Sequence, residues 1–378
     1  MKKNISNKIR IMCIAECAGG VERYLQGLIK YIDHNKFEII AILSHKYDKS
    51  KLIDRVDNYE FVDMAHEIGS IDIKTIFEIR QVIKKYHPDI VYAHSSKAGA
   101  LTRMANLGLH IPCIYNPHGW SFNMQGTQRK QKMYAYIERM LAHTCKKIIC
   151  ISESERKSAL EKRICNANKM QVILNGIDVD EILENQFTVT KGEMGIPSDA
   201  YIIGIVGRLS EQKAPDIVIQ AARVVAEKIP NAFFLFVGSG EMEEKVRIYA
   251  KHNNLEGHVM ITGWVDNPEE YIQLFDIAML VSRWEGFGLV LPEYMIARKP
   301  VIATSVDAIP EIIQNEKNGL LIEPNSVDQL IAAICKLYSD EKLCCKLSKY
   351  GEDTVRKKYD VKRVSVEHER VFLKLLDK

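Results

Sequence analysis

Short apolar runs recur along this chain, each followed by a glycine-containing or polar loop and then by a segment with helical apolar spacing. Such a pattern dictates parallel strands joined by crossover helices, because a strand buried on both faces needs a continuous apolar run while its helix needs only one apolar face. The runs Ile9–Ile14, Phe37–Leu43, Asp89–Ala93, Cys113–Asn116, Lys147–Ile151 and Met170–Leu174 read as strands, with helices around Ile73–Tyr86, from Lys97 and after Ser152-Glu-Ser-Glu155. The alternation lapses from the loop at Asn175–Asp178 to Asp199. It resumes with Tyr201–Val206, Ala232–Val237, Val259–Thr262, Ile277–Val281, Pro300–Ala303 and Gly319–Ile322. Two doubly wound α/β halves therefore follow one another around a hinge near 178–190. Ligands bind outside the carboxyl ends of open parallel strands, so the expectation is two Rossmann-like domains facing across a cleft. The expected boundaries are 1–180 and 181–360, followed by a helical segment, 361–378, with apolar spacing at Val364, Val371, Phe372 and Leu375.

Composition excludes other classes. With 378 residues, 47% hydrophobic and 27% charged, the chain is neither disordered nor a small stapled scaffold. Its nine cysteines, at 13, 17, 113, 145, 150, 165, 335, 344 and 345, show no metal-ligand spacing and read as free thiols of a reducing compartment. No apolar stretch reaches the ~18–20 residues of a membrane span, and the basic start leads into a strand rather than a signal-peptide core. The expected location is cytoplasmic. Residues 1–187 carry 28 Lys+Arg against 21 Asp+Glu, whereas the remainder is net acidic, so an anionic partner is expected for the first half. The densest patch, Gln125 to Lys147, sets Arg129, Lys130, Lys132, Arg139, Lys146 and Lys147 against Glu138 alone, interleaved with Met133, Tyr134, Tyr136, Ile137, Met140 and Leu141. Two readings stay open: a solvated helix face, or a face lying peripherally on the anionic inner surface of the plasma membrane. No nucleic-acid partner is expected.

Two motifs carry chemistry. Val206-Gly-Arg208-Leu-Ser-Glu-Gln-Lys213 follows a strand and leads to a helix beginning near Pro215, so two cations and a positive helix end meet where a pyrophosphate would fit. Ser282-Arg-Trp-Glu285-Gly-Phe-Gly-Leu-Val-Leu-Pro-Glu293 follows another buried strand. Its glycines admit close backbone approach and its carboxylates accept hydrogen bonds from vicinal hydroxyls, which sugars offer. Asp178-Val-Asp180 has the D-x-D form of a metal-binding triad, but it lies at the hinge and the pattern is common. Gly19-Gly20 lacks the G-x-G-x-x-G fingerprint, which argues against a nicotinamide dehydrogenase.

Over nearly its whole length the chain resembles retaining glycosyltransferases of family 4, which have the GT-B fold. Glu285 and Glu293 match that family's E-x7-E signature, and Arg208 with Lys213 matches its G-R-L-x3-K loop. Further matches are Gly19-Gly20, His118-Gly119, Val172–Asp178, Val237–Gly240 and the Gly263–Val265 region. The resemblance implies that Glu293 holds the ribose hydroxyls of a nucleotide-sugar donor, and that Glu285, Gly286, Phe287 and Gly288 hold the sugar. It implies that Arg208 and Lys213 stabilise the departing diphosphate, that His118 sits beside the reacting centre, and that Gly19, Gly20, Gly238, Val265 and Leu289 line the donor. Taken alone, His118 could equally cap a turn. No metal or other cofactor is implied.

Ala214 stands where the family usually has glycine, leaving the backbone path of that loop open. His94-Ser-Ser-Lys97 resembles a segment of members that build bacterial capsules and exopolysaccharides. There Ser95 or Ser96 would cap a helix, and His94 and Lys97 are candidates for meeting the acceptor. In this architecture the last helix crosses back to the N-terminal domain. The expected function is transfer from a UDP-sugar to a lipid-linked saccharide with retention of configuration. The alternatives are a non-catalytic nucleotide-sugar-binding partner subunit and a nucleotide-sugar epimerase.

Overall fold

The computed structural model describes residues 8–16, 19–45, 52–64, 71–124, 126–185 and 187–377; Cys17 and Gln125 lie outside these. The chain forms two compact units, one comprising Met1–Gly176 with Val361–Lys378, the other Ile177–Asp360. The division falls before Ile177, whose N–H donates to Tyr359 O and whose backbone bridges Asp360.

In the first unit the strands are β1 (Ile9–Ala15), β2 (Phe37–Ser44), β3 (Asn58–Val62), β4 (Ile90–His94), β5 (Cys113–Asn116), β6 (Lys147–Cys150) and β7 (Met170–Val172). The helices are α1 (Gly20–Tyr31), α2 (Ile71–Tyr86), α3 (Ser96–Ala105), α4 (Gln128–Ala142) and α5 (Glu153–Glu161). The second unit carries β8 (Tyr201–Val206), β9 (Ala232–Val237), β10 (Val259–Ile261), β11 (Ile277–Leu280), β12 (Val301–Thr304) and β13 (Leu320–Ile322). Its helices are α6 (Val179–Glu184), α7 (Pro215–Lys228), α8 (Glu243–His252), α9 (Pro268–Ile272), α10 (Val290–Ile296), α11 (Ile309–Ile312), α12 (Val327–Ser339) and α13 (Glu341–Lys358). Helix α14 (Val361–Leu375) returns to the first unit.

Both sheets are parallel, in the orders β3-β2-β1-β4-β5-β6-β7 and β10-β9-β8-β11-β12-β13. Each order reverses once, between β1 and β4 and between β8 and β11, and the crevice at such a reversal is where an open sheet receives ligand. The central strands are buried along almost their whole length, as their apolar runs require. Strand β3 and helix α6 add to the elements read from sequence. The former is a half-exposed edge strand, and the latter is a short helix capped by Asp178, whose Oδ1 accepts from Glu181 N at 3.1 Å.

Helix α14 packs on α1 through Val361, Val364, Val371 and Phe372, with Ser365 and His368 buried in the same stripe. The approach is close: a Cβ on Gly27 would lie 2.6 Å from Val361 Cγ2, so only glycine lets the two helices meet here. On the other face, α3, β5 and α4 are fastened by a buried ion pair. Arg103 donates to Glu138 Oε2 at 2.9 Å, Tyr115 donates its hydroxyl to Glu138 Oε1 at 2.9 Å, and the guanidinium lies 3.8 Å from the Tyr115 ring centroid. Removing one partner strands the other charge in the core. Glu138→Ala should therefore lower unfolding stability by about 3–5 kcal/mol in urea titrations. A loss under ~1 kcal/mol, the range of surface pairs, would show that the pair holds nothing.

Candidate active site

The loops leaving β8 and β11, on either side of the second reversal, are tied together by Arg283. Its guanidinium bonds Glu211 O at 2.7 Å, Asp216 Oδ2 at 2.8 Å and Asn325 Oδ1 at 2.7 Å, while its N–H donates to Gln212 O at 2.8 Å. Gln212 Nε2 donates in turn to Trp284 O at 3.0 Å. With the loops clamped, Lys213 forms an ion pair with Glu285. The same carboxylate accepts from Ser282 Oγ at 3.1 Å, and the Glu285 N–H donates to Asp307 Oδ2 at 2.8 Å. The pair is largely withdrawn from water, with side-chain exposures of 18% and 10%, so its charges are little screened. Arg208 is held elsewhere, exposed and paired with Glu241 at 3.2 Å.

Around this pair the backbone is fixed. Gly207 N donates to Val237 O and Leu209 N to Ser239 O, both at 3.0 Å, joining the loops after β8 and β9. Gly238 makes that join possible, since at its φ of 135° an added Cβ would lie 2.2 Å from Gly207 O. Gly238 also bridges Gly263, which brings the half-buried Val265 to the same edge beside the exposed Trp264. Ala214 takes the left-handed conformation, φ 50° and ψ 49°, at the N-cap of α7, with Pro215 in the first turn. The family's usual glycine would adopt this geometry freely; the alanine methyl makes it strained and is fully buried. Glu293 is buried on α10, Leu289 is its half-exposed N-cap, and Gly286 and Gly288 flank Phe287. The Phe287 ring is a core group, 3% exposed and packed edge-on against Tyr359, so this segment offers a ligand backbone rather than ring.

In the first unit, Gly19, at φ 54°, is the N-cap of α1, and Gly20 opens that helix. His118 follows β5 at φ 52°. Its N–H donates to Asn116 Oδ1 at 3.1 Å, its Nε2 lies 3.0 Å from His94 Nδ1, and its ring meets that of Tyr24 edge-on at 4.7 Å. Glu155 anchors the next residue: one oxygen accepts from Gly119 N and the other from Ile151 N, both at 2.7 Å, while its carbonyl accepts from Trp120 Nε1. Burial, reinforced by the neighbouring His368, lowers the His118 pKa to about 3. Burial likewise lowers His368 to about 4 and carries His94 well below the usual histidine range.

One expectation needs correction here. His94 has no exposed surface and its Nδ1 lies 3.0 Å from His118 Nε2, so it lies behind that residue instead of facing an acceptor. Ser95 occupies the N-cap of α3 as expected, at φ 64° and without a side-chain capping bond. Lys97 is half-buried in the first turn of α3. The residues that sequence reasoning missed, Arg283, Asp307, Glu155, Asn116, Tyr24, Tyr92 and His368, act through bonds to distant parts of the chain. Glu155 alone left a visible signal, the Ser152–Glu155 capping pattern.

The α4 face turns out more one-sided than its sequence. Glu138 points inward, while Arg129, Lys130, Lys132, Met133, Tyr136 and Met140 are exposed. Arg139 is exposed too, but is bonded to the carbonyls of Lys162 and Arg163. Among the described residues no helix is long and apolar enough to cross a membrane.

Two open parallel sheets, with a lysine–glutamate pair beside glycine loops at the second reversal, are the arrangement of a glycosyltransferase of the GT-B type. Residues 18–181 match the Glycosyltransferase Family 4 pattern and residues 186–354 match the Glycosyl transferases group 1 pattern. A protein of the cps region of Klebsiella pneumoniae is 31% identical over 336 residues, covering 85% of this chain and 88% of its own. The UDP-Gal:alpha-D-GlcNAc-diphosphoundecaprenol alpha-1,3-galactosyltransferase of Escherichia coli is 26% identical, covering 90% and 91%. HepE of Anabaena, solved with UDP, shares the fold at a TM-score of 0.81 and 19% identity, covering 97% of this chain and 100% of its own. The chain belongs to the family 4 glycosyltransferases.

The depressed histidines set an acid limit. Unfolded histidine titrates near 6.5, so between about pH 6.5 and pH 3 the unfolded chain binds more protons than the folded one, and stability falls as pH falls through that window. The urea midpoint should be nearly constant from about pH 7 to 8 and decline from about pH 6 to 4, less steeply in His368→Gln, which removes one of the three groups. An equally steep decline in that variant would remove His368 from the account.

Proposed function

We propose that this chain is a retaining glycosyltransferase that moves a sugar from a UDP-sugar to a hydroxyl of a lipid-linked saccharide in bacterial surface polysaccharide synthesis. The carrying observation is the Lys213–Glu285 pair, clamped by Arg283 beside the reversal of strand order in the second sheet. The name of the E. coli relative states a UDP-sugar donor and a diphosphoundecaprenol-linked acceptor, which supports both assignments. In this reading Glu293 accepts hydrogen bonds from the ribose hydroxyls, and Glu285 with the Gly286–Gly288 backbone orients the sugar. Lys213 exchanges Glu285 for the diphosphate, and Arg208 leaves Glu241 to join it.

As the anomeric C–O bond to the diphosphate breaks, negative charge grows on the leaving oxygens, where fixed cations help most. The acceptor oxygen attacks from the same face and its proton passes to the departing phosphate, so configuration is retained. His118, neutral across the working pH range, can accept or donate a hydrogen bond at the sugar but holds no charge there. Two side-chain cations serve the diphosphate, so no divalent metal is needed in this reading.

Incubation with a panel of UDP-sugars and an undecaprenyl-diphosphate-linked saccharide tests this. One donor should give UDP and a product whose anomeric configuration, read by NMR, matches the donor's, with or without EDTA. Lys213→Ala and Glu285→Ala should each reduce kcat by about 100-fold or more. Near-normal turnover, or an inverted product, would overturn the assignment.

The α4 face, basic and apolar with its one acid turned inward, suits the peripheral membrane position where such an acceptor resides. Lys130→Glu/Lys132→Glu should cut cosedimentation with phosphatidylglycerol vesicles severalfold at low salt and leave binding to phosphatidylcholine vesicles unchanged. Equal binding by both proteins would remove the membrane contact.

A further inference from the structure

Behind His118 lies a polar network with no exposure worth the name, built from four separate stretches of the chain. Tyr24 on α1, Tyr92 and His94 on β4, Asn116 on β5 and His368 on α14 are each 0–2% exposed. A carbonyl can only accept, so the 2.7 Å contact between His368 Nδ1 and Val364 O makes Nδ1 the protonated nitrogen. The ring is neutral, which leaves Nε2 as an acceptor. It lies 2.7 Å from the Tyr24 hydroxyl and 2.9 Å from the Tyr92 hydroxyl, which are 3.0 Å from each other. The Asn116 amide N–H groups point to both hydroxyl oxygens at 3.4 Å, and Asn116 Oδ1 accepts the His118 N–H. The single Nε2 lone pair accepts from one hydroxyl while the other can donate to its neighbour, so the chain of bonds runs from the His118 N–H to Asn116, from Asn116 to the tyrosine pair, from that pair to His368, and from His368 to the α14 backbone.

His118 needs such support. It is a non-glycine residue in the left-handed region, a conformation that persists only where surroundings over-determine it. The same tyrosine that bonds His368 also presses its ring edge against the His118 imidazole. An apolar residue in place of His368 would fill the stripe of α14 equally well, yet would leave the buried tyrosine pair without its outward acceptor. A purely packing role for the site does not call for histidine.

We propose that His368 is a positioning residue: by accepting from the bonded Tyr24–Tyr92 hydroxyl pair it locks Asn116, and through Asn116 the backbone and ring of His118, in the geometry used at the reacting centre. The kinetic consequence rests on the glycosyl-transfer reading above; the structural consequence does not. His368→Phe keeps bulk and removes the acceptor, whereas His368→Gln restores an acceptor near the position of Nε2. Tyr92→Phe deletes one hydroxyl with little change of volume, and serves if His368→Phe does not fold.

With the donor that gives turnover, His368→Phe or Tyr92→Phe should lower kcat by about 10- to 100-fold while the donor KM stays within about twofold, and His368→Gln should recover most of the loss. In ring carbon–proton spectra of protein labelled at histidine, the His118 signal, assigned by its absence from His118→Asn, should move or broaden in His368→Phe and Tyr92→Phe. It should stay in place in His87→Asn, a change at an exposed histidine of the same unit. An unmoved His118 signal with unchanged kcat overturns the proposal, as does equal loss in the Phe and Gln variants of His368. Should no nucleotide sugar be turned over by the unaltered protein, the transferase reading fails while the spectra still decide the positioning role.

Discussion

Everything the second unit does rests on holding two loops from neighbouring parallel strands within bonding range, and the Arg283 guanidinium is what holds them. One planar fork satisfies a carbonyl of the first loop, an acid at the start of α7 and Asn325, while its own N–H fixes the first loop again. Lysine could not replace it, since a single ammonium lacks the geometry to bond three divergent acceptors. With that clamp in place, Lys213 and Glu285 meet in a poorly screened setting. Such a pair adds little to stability, because desolvation offsets attraction, but it keeps a full positive charge at the carboxyl end of the sheet before any ligand arrives.

The first unit solves a different electrostatic problem. Its polar centre contains three histidines and two tyrosines with almost no solvent, and burial keeps all of them neutral. The bonds among them are directional, which suits an arrangement meant to fix orientation. A buried ion pair, Arg103 with Glu138, sits on the opposite helical layer, where it fastens α3 and α4 to β5. One unit therefore presents charge at its edge, the other a neutral imidazole.

The buried strands and the loops that carry the two motifs were legible because each buried strand needs an unbroken apolar run and each motif follows one directly. Strand β3 escaped because an edge strand exposed on one side needs no such run: Asn58-Tyr-Glu-Phe-Val62 mixes polar and apolar residues. Helix α6 was too short to show a period. The role of Arg283 was hidden inside a quoted motif, since its partners lie 42 to 72 residues away. His368 was invisible for the same reason on a larger scale, its tyrosines lying 276 and 344 residues earlier, and in the α14 stripe it looked like a polar interruption. His94 was misjudged because a polar residue closing a strand looks accessible in sequence, whereas here the loop carrying His118 folds over it.

The seating of α14 on α1, in the notch that Gly27 leaves for Val361, has a consequence for how the molecule is made. The first unit is interrupted by the whole of the second, so on the ribosome its N-terminal part emerges early and then waits for its last helix. At ordinary elongation speeds that wait is roughly 10 to 40 s. During it the second unit, continuous in sequence, is free to close, while Tyr24 and Tyr92 lack His368 and the apolar face of α1 lacks its cover. The half synthesised first is thus completed last, and in the interval it is the half that most needs a chaperone.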